Sequence, residues 1–296
     1  MDPRRRALLA LLAAGAVRPS LAQPRIMAKP IPSTGEQVPV IGVGTWQTFD
    51  VGSGAAARAP LREVLRLLER NIVDSSPMYG SSESVAGDLI AELGMRDKLF
   101  VATKVWTSGR DAGVRQMETS FKRLRVQQMD LMQVHNLVDV DTHTKTLKDW
   151  KAKKRVRYIG ITHYTSSAYA EVERALKTRQ YDFLQINYSL GERDSEQRLL
   201  PLAQELKVAV IANRPFAEGA LFRRVKGKAL PPWAAELGIA SWAQFFLKWI
   251  VSHPAVTCAI PGTGNPKHMQ DNLGAGAGKL PDEKERRKMT EFFDAV

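Results

Sequence analysis

The sequence predicts a (β/α)8 (TIM) barrel, a parallel eight-stranded α/β fold, on two observations. Short apolar, β-branched runs recur between residues 40 and 260, separated by amphipathic stretches of helical period. The runs are continuously apolar rather than alternating, as strands covered on both faces must be. Alternation of strand and helix implies a parallel sheet, and eight such units close a barrel that suits 296 residues.

In chain order the strand candidates are Val40 to Gly44, Ile72 to Asp74, Phe100 to Lys104 and Leu131 to Val134. Tyr158 to Ile161, Phe183 to Ile186, Val208 to Ile211 and Thr257 to Ile260 complete the set. Helical periodicity marks Leu61 to Arg70, Val114 to Leu124, Ala168 to Lys177 and Ala243 to Ser252. The rival is a doubly wound open sheet, which favours a Gly-x-Gly-x-x-Gly turn after the first strand. Gly42-Val43-Gly44-Thr45-Trp46 lacks the third glycine, so the barrel is preferred. No repeat, low-complexity tract or linker divides residues 23–296, which read as one domain.

Residues 1–22 stand apart. Arg4, Arg5 and Arg6 precede an apolar run from Ala7 to Val17, and Ser20-Leu21-Ala22 follows. A charged head, a short apolar stretch and small residues are the layout of a secretory signal, and adjacent arginines resemble a twin-arginine one. The expectation is an exported, periplasmic protein with no stable membrane insertion after cleavage; without a working signal the protein is cytoplasmic. The leader carries four arginines against one aspartate, leaving +9 of the chain's +12. Lys and Arg are dispersed apart from Lys151 to Arg157 and Arg223 to Lys228, with no interleaved aromatic platforms, so nucleic acid is not an expected partner. A lone cysteine, Cys258, lies in an apolar strand and reads as core.

Function in such barrels collects where strands end at their carboxyl side. Two successive candidates end at Asp74 and Lys104, the next runs directly into His135, and Tyr79 follows Asp74 by five residues. Reducing a carbonyl requires hydride on carbon and a proton on oxygen. A tyrosine keeps its proton at neutral pH but yields it poorly. A nearby ammonium favours the phenolate and is expected to lower the tyrosine's pKa. An aspartate keeps that lysine charged, and a histidine can hydrogen-bond the oxygen on which charge develops. Each residue alone has an ordinary structural explanation; four at neighbouring strand ends point to a metal-free catalytic site.

Gly42-Val43-Gly44-Thr45-Trp46, the Asp74-x-x-x-x-Tyr79-Gly80 turn, Thr103-Lys104, Asp130-Leu131-x-x-x-His135 and Gly160-Ile161-Thr162 together resemble the aldo-keto reductase family. The resemblance runs from about Val38 to the C-terminus. It implies a (β/α)8 barrel that reduces aldehydes or ketones reversibly with NADPH, NADH being the alternative, and it implies Asp74, Tyr79, Lys104 and His135 as the catalytic tetrad.

The resemblance also implies cofactor positions. Gly44, Thr45 and Trp46 match the turn under the nicotinamide end, while Thr162, His163 and Gln185 match carboxamide-binding positions, with His163 where the family usually has Asn. Asn213 stands where an aromatic residue usually stacks on the ring, and Arg214 beside it is expected to grip a phosphate. Thr263, His268, Asp271 and Asn272 fall on the adenosine loop. Trp46, Phe49, Trp106 and Val138 lie in mouth loops and suggest an apolar pocket for a small carbonyl substrate. A second reading, a cofactor-binding redox sensor with little turnover, draws on the altered residue 213 and the export signal.

Overall fold

A computed structural model describes residues 26–296. The leader therefore lies outside the described residues.

Eight parallel strands follow in register: β3 (Val43–Gly44), β4 (Ile72–Asp74), β5 (Phe100–Val105), β6 (Met129–His135), β7 (Val156–Thr162), β8 (Phe183–Asn187), β9 (Ala209–Asn213) and β10 (Val256–Ala259). Each pairs with its sequence neighbour, the pattern that right-handed βαβ crossovers produce. The seam closes where the Gly42 amide donates to the Ala259 carbonyl at 2.8 Å and the Gly44 amide to that of Pro261 at 3.2 Å. That closure explains why the first strand, expected from Val40, ladders with β4 only at its end: its earlier residues are turned to β10.

The helices around the barrel are α1 (Ala55–Arg66), α2 (Ser82–Glu92), α3 (Arg110–Leu124), α4 (Val140–Ala152), α5 (Tyr169–Lys177) and α6 (Leu199–Glu205). After β9 come α7 (Ala220–Arg224) and α8 (Trp242–Ser252), and after β10 come α9 (Pro266–Gly274) and α10 (Glu283–Ala295). The helix expected over Leu61 to Arg70 is displaced toward the N-terminus. It runs through Pro60 and ends before Arg70, whose φ of +62° is not helical.

Two shells of apolar side chains hold the fold. Val64 and Leu65 of α1, Val85 and Leu89 of α2 and Met117 of α3 pack on the outside of the barrel. Ile72, Phe100, Leu131, Tyr158, Phe183, Ile211 and Cys258 fill the inside, so Cys258 is core as expected. An antiparallel hairpin, β1 (Ala28–Pro30) and β2 (Gln37–Pro39), precedes the barrel and was not expected. It lies across the N-terminal end and drops Ile31 and Val38 into the inner shell as a floor. Lys29 fastens it, donating to the carbonyls of His253 at 2.9 Å and Val256 at 2.7 Å.

A cleft of about 500 Å³ opens at that closed end, lined by Arg70, Arg96, Arg125 and Arg157. Three of these guanidinium groups are engaged by carboxylates: Arg96 and Arg157 by Asp130, and Arg125 by Asp88. The chemistry-bearing residues lie at the other end. Among the described residues no helix is long and apolar enough to cross a membrane.

Candidate active site

The strand ends bring the expected group together. Asp74 closes β4, Lys104 lies near the end of β5 and His135 closes β6. Lys104 is wholly buried, and its Nζ donates to Asp74 Oδ2 at 2.6 Å and to the Ser75 carbonyl at 2.7 Å. Two buried amides also donate to the same carboxylate, Gln133 to Oδ1 and Gln185 to Oδ2, each at 3.3 Å. A buried ion pair of this kind persists because its remaining lone pairs are also satisfied.

Tyr79 arrives by a tight turn. Its amide donates to the Ser76 carbonyl at 3.0 Å, and Gly80 follows at φ +57°, a region glycine enters without strain. A Cβ on Gly80 would stand 2.2 Å from Asp50 Oδ2. Asp50 occupies that space and its Oδ1 accepts from the Ser81 amide at 2.8 Å and hydroxyl at 2.7 Å. So held, the phenol ring lies with Lys104 Nζ 5.1 Å from its centroid and the His135 ring edge-on at 5.9 Å.

Burial dominates the electrostatics. It opposes the Lys104 ammonium, but Asp74 and Tyr79 together more than offset it and raise the lysine above its usual value. Burial also raises the Tyr79 phenol, outweighing the ammonium beside it. The lowered tyrosine expected from the sequence is therefore corrected: a phenol withdrawn from water resists ionising more than one lysine already shared with Asp74 can offset. Burial, then the charge of Lys104, pushes His135 down to about 2, so its imidazole is neutral.

The expected cofactor residues divide into two groups. Gly44, Thr45, Thr162, His163 and Gln185 surround the mouth in register, His135 facing Thr162 and Thr162 facing Gln185 across the ladder. Thr45 donates to Ser75 Oγ at 2.9 Å, and Gln185 gives its amide to Asp74, accepting from Gln133 at 2.9 Å. His163 turns Nδ1 onto the amide of Tyr164 at 3.0 Å. Asn213 donates to the His163 carbonyl at 3.1 Å, while its Oδ1 is buried and unpartnered. Arg214 lies between Glu218 at 2.8 Å and Glu192 at 3.5 Å, with its Nε buried and unpartnered.

The second group lies around α9. Thr263 is buried, accepting from the Asn265 amide at 3.1 Å, Asn272 is buried and His268 is exposed. Both carboxylate oxygens of Asp271 are occupied, by Ser241 and by Gln244 at 2.7 Å each, so Asp271 ties α9 to α8. Of the expected pocket, Trp46 and Trp106 are exposed, Trp106 lies 6.4 Å from His135 and Val138 is half-buried. Phe49 does not join them: it is wholly buried in the outer core, carried inward by the turn in which its amide donates to the Thr45 carbonyl at 3.0 Å.

Sequence reasoning missed Gln133 and Ser76. The inward alternation of Leu131, Gln133 and His135 along β6 could have found the first. Ser76 Oγ lies 3.0 Å from His135 Nδ1, a contact 59 residues apart in sequence.

A (β/α)8 barrel whose mouth holds a phenol beside a buried ammonium–carboxylate pair and a neutral imidazole defines a carbonyl oxidoreductase. The aldo/keto reductase family description matches residues 40–288, and the chain belongs to that family. It is 29% identical to the methylglyoxal reductase YeaE of Escherichia coli over 245 residues, 79% of this chain and 84% of that one. An aldo/keto reductase from Klebsiella pneumoniae, crystallised with NADP and acetate, is 26% identical with a TM-score of 0.72 over 88% of this chain and 93% of that one. The thermostable aldo-keto reductase Tm1743, crystallised with the inhibitor epalrestat, is 25% identical with a TM-score of 0.75 over 90% and 99%. The chain is an NAD(P)H-dependent carbonyl oxidoreductase. The sensor reading is not favoured.

Proposed function

We propose that this protein reduces a small aldehyde or ketone with NADPH, Tyr79 delivering the proton. The observation that carries the proposal is the buried Lys104–Asp74 pair lying against the Tyr79 ring. NADPH, when bound, would supply the hydride that the carbonyl carbon needs. Tyr79 gives its proton to the carbonyl oxygen, and the Lys104 ammonium faces the phenolate that remains. Asp74 keeps Lys104 charged and aimed, and neutral His135 donates to the same oxygen.

The mouth fits a nicotinamide end. Asn213 Oδ1 at the end of β9 and Nε of Arg214, the next residue, have no partner among the described residues; a carboxamide N–H would suit the first and a phosphate oxygen the second. Gly44, Thr45, Trp46, Thr162, His163 and Gln185 would hold that end, and Thr263, His268 and Asn272 the other. NADPH is preferred because NADP occupies the Klebsiella pneumoniae relative. Trp46, Trp106 and Val138 frame the carbonyl compound.

Loss of nicotinamide absorbance with an activated aromatic aldehyde tests this reading. Turnover that collapses in Tyr79→Phe supports it; a wild-type protein that binds NADPH and reduces nothing refutes it. We also propose that residues 1–22 direct export and that residues 23–296 work as one domain. Arg4 to Arg6, the apolar run and Ser20-Leu21-Ala22 support export. Full-length protein retained uncleaved in the cytoplasm of its native host would overturn it.

A further inference from the structure

The turn that delivers Tyr79 also touches His135. Ser76 is wholly buried, and its carbonyl accepts the Tyr79 amide at 3.0 Å. Its hydroxyl oxygen accepts from the Met78 amide at 3.4 Å and lies 3.0 Å from His135 Nδ1. No other group among the described residues bonds that hydroxyl. A neutral imidazole carries one proton, on Nδ1 or on Nε2. Were it on Nδ1, Ser76 Oγ would accept twice and its own hydrogen would be buried with no acceptor, an arrangement folded proteins avoid. Were it on Nε2, the Ser76 hydroxyl would donate to bare Nδ1, and both the hydroxyl and Nδ1 would be satisfied. His135 Nε2 has no partner among the described residues.

We infer that Ser76 is a positioning residue that fixes His135 in the Nε2–H tautomer, turning a donor toward the substrate oxygen. The inference rests on the reductase reading above for its consequence, but not for its test. One residue thereby sets two groups at once: its carbonyl places the proton donor and its hydroxyl orients the second hydrogen-bond donor. Without the hydroxyl, Nδ1 would lose its only partner. The two tautomers would then compete, and the Nδ1–H form would present a bare lone pair to a developing oxyanion.

The deciding measurement is the nitrogen spectrum of protein labelled with 15N-histidine, the His135 signals being identified by their loss in His135→Gln. The expected wild-type spectrum shows Nδ1 unprotonated and Nε2 protonated from pH 6 to 8. In Ser76→Ala both nitrogens should move toward intermediate positions, and kcat should fall about tenfold with NADPH affinity unchanged. A protonated Nδ1 in the wild type overturns the assignment. So does a Ser76→Ala protein that keeps the wild-type tautomer. If Ser76→Ala fails to fold, the wild-type spectrum still decides. The spectrum needs no turnover, so a protein that proves inactive defeats the reductase reading without touching this one.

Discussion

Lys104 Nζ meets Asp74 Oδ2 at 2.6 Å where neither side chain is more than 2% exposed. Away from water the two charges depend on each other, since neither has solvent to fall back on. Asp74→Asn leaves an ammonium uncompensated and should destabilise the fold by about 3–5 kcal/mol. Urea unfolding, read by tryptophan fluorescence, measures the loss; a midpoint within error of wild type would contradict it.

Tyr79→Phe keeps the ring and its packing while removing the proton. Carbonyl reduction should fall by about 10²–10⁴-fold, the usual contribution of a positioned acid. NADPH affinity, read by fluorescence titration, should not move. Retained turnover would transfer the role to another donor.

The pH profile follows from burial. Tyr79 is held above its ordinary value and His135 is neutral down to about 2. The rate of reduction should therefore show no inflection near 6.5 from His135, and should decline only on the alkaline side as Tyr79 loses its proton. An acid limb centred near 6.5 that disappears in His135→Gln would be the wrong outcome.

Stability should respond to acid. His253 is pushed down to about 4, chiefly by burial and then by Arg286 and Lys29. A histidine held neutral in the fold binds fewer protons than in the unfolded chain, so its contribution is full above 6.5 and lost as pH falls toward 4. Denaturation midpoints should drop across that window, less steeply in His253→Gln.

Glu218 shares Arg214, the residue proposed to meet a cofactor phosphate, with Glu192. Glu218→Gln should release part of that guanidinium and tighten NADPH several-fold in a fluorescence titration. Unchanged affinity would show that Arg214 does not face the cofactor.

The strand ends that carry Asp74, Lys104 and His135 were legible because each strand announces itself locally. Ile72 to Asp74 is an apolar run that stops at a carboxylate, and Tyr79 follows within one turn. What stayed hidden was long-range. Gln185 reaches Asp74 over 111 residues, and Ser76 reaches His135 over 59. Nothing in Gln185 distinguishes an amide offered to a carboxylate from one offered to a ligand. Phe49 was misplaced for the same reason: its neighbours put it in a mouth loop, but the fold of that loop turned it into the core. The hairpin went unread because Gln37-Val38-Pro39 is too short to declare a strand. Tyr79's acidity was misjudged because burial is a property of the assembled barrel, not of any one motif.

The hairpin that floors the barrel has a practical meaning. Ile26 enters the fold beside Val40 and Gly276, and the next residues run straight onto the stopped end. A purification handle or surface anchor fused directly to Ile26 would start from the blind side of the vessel. A molecule immobilised by its beginning would thus stand with its opening turned to the solution.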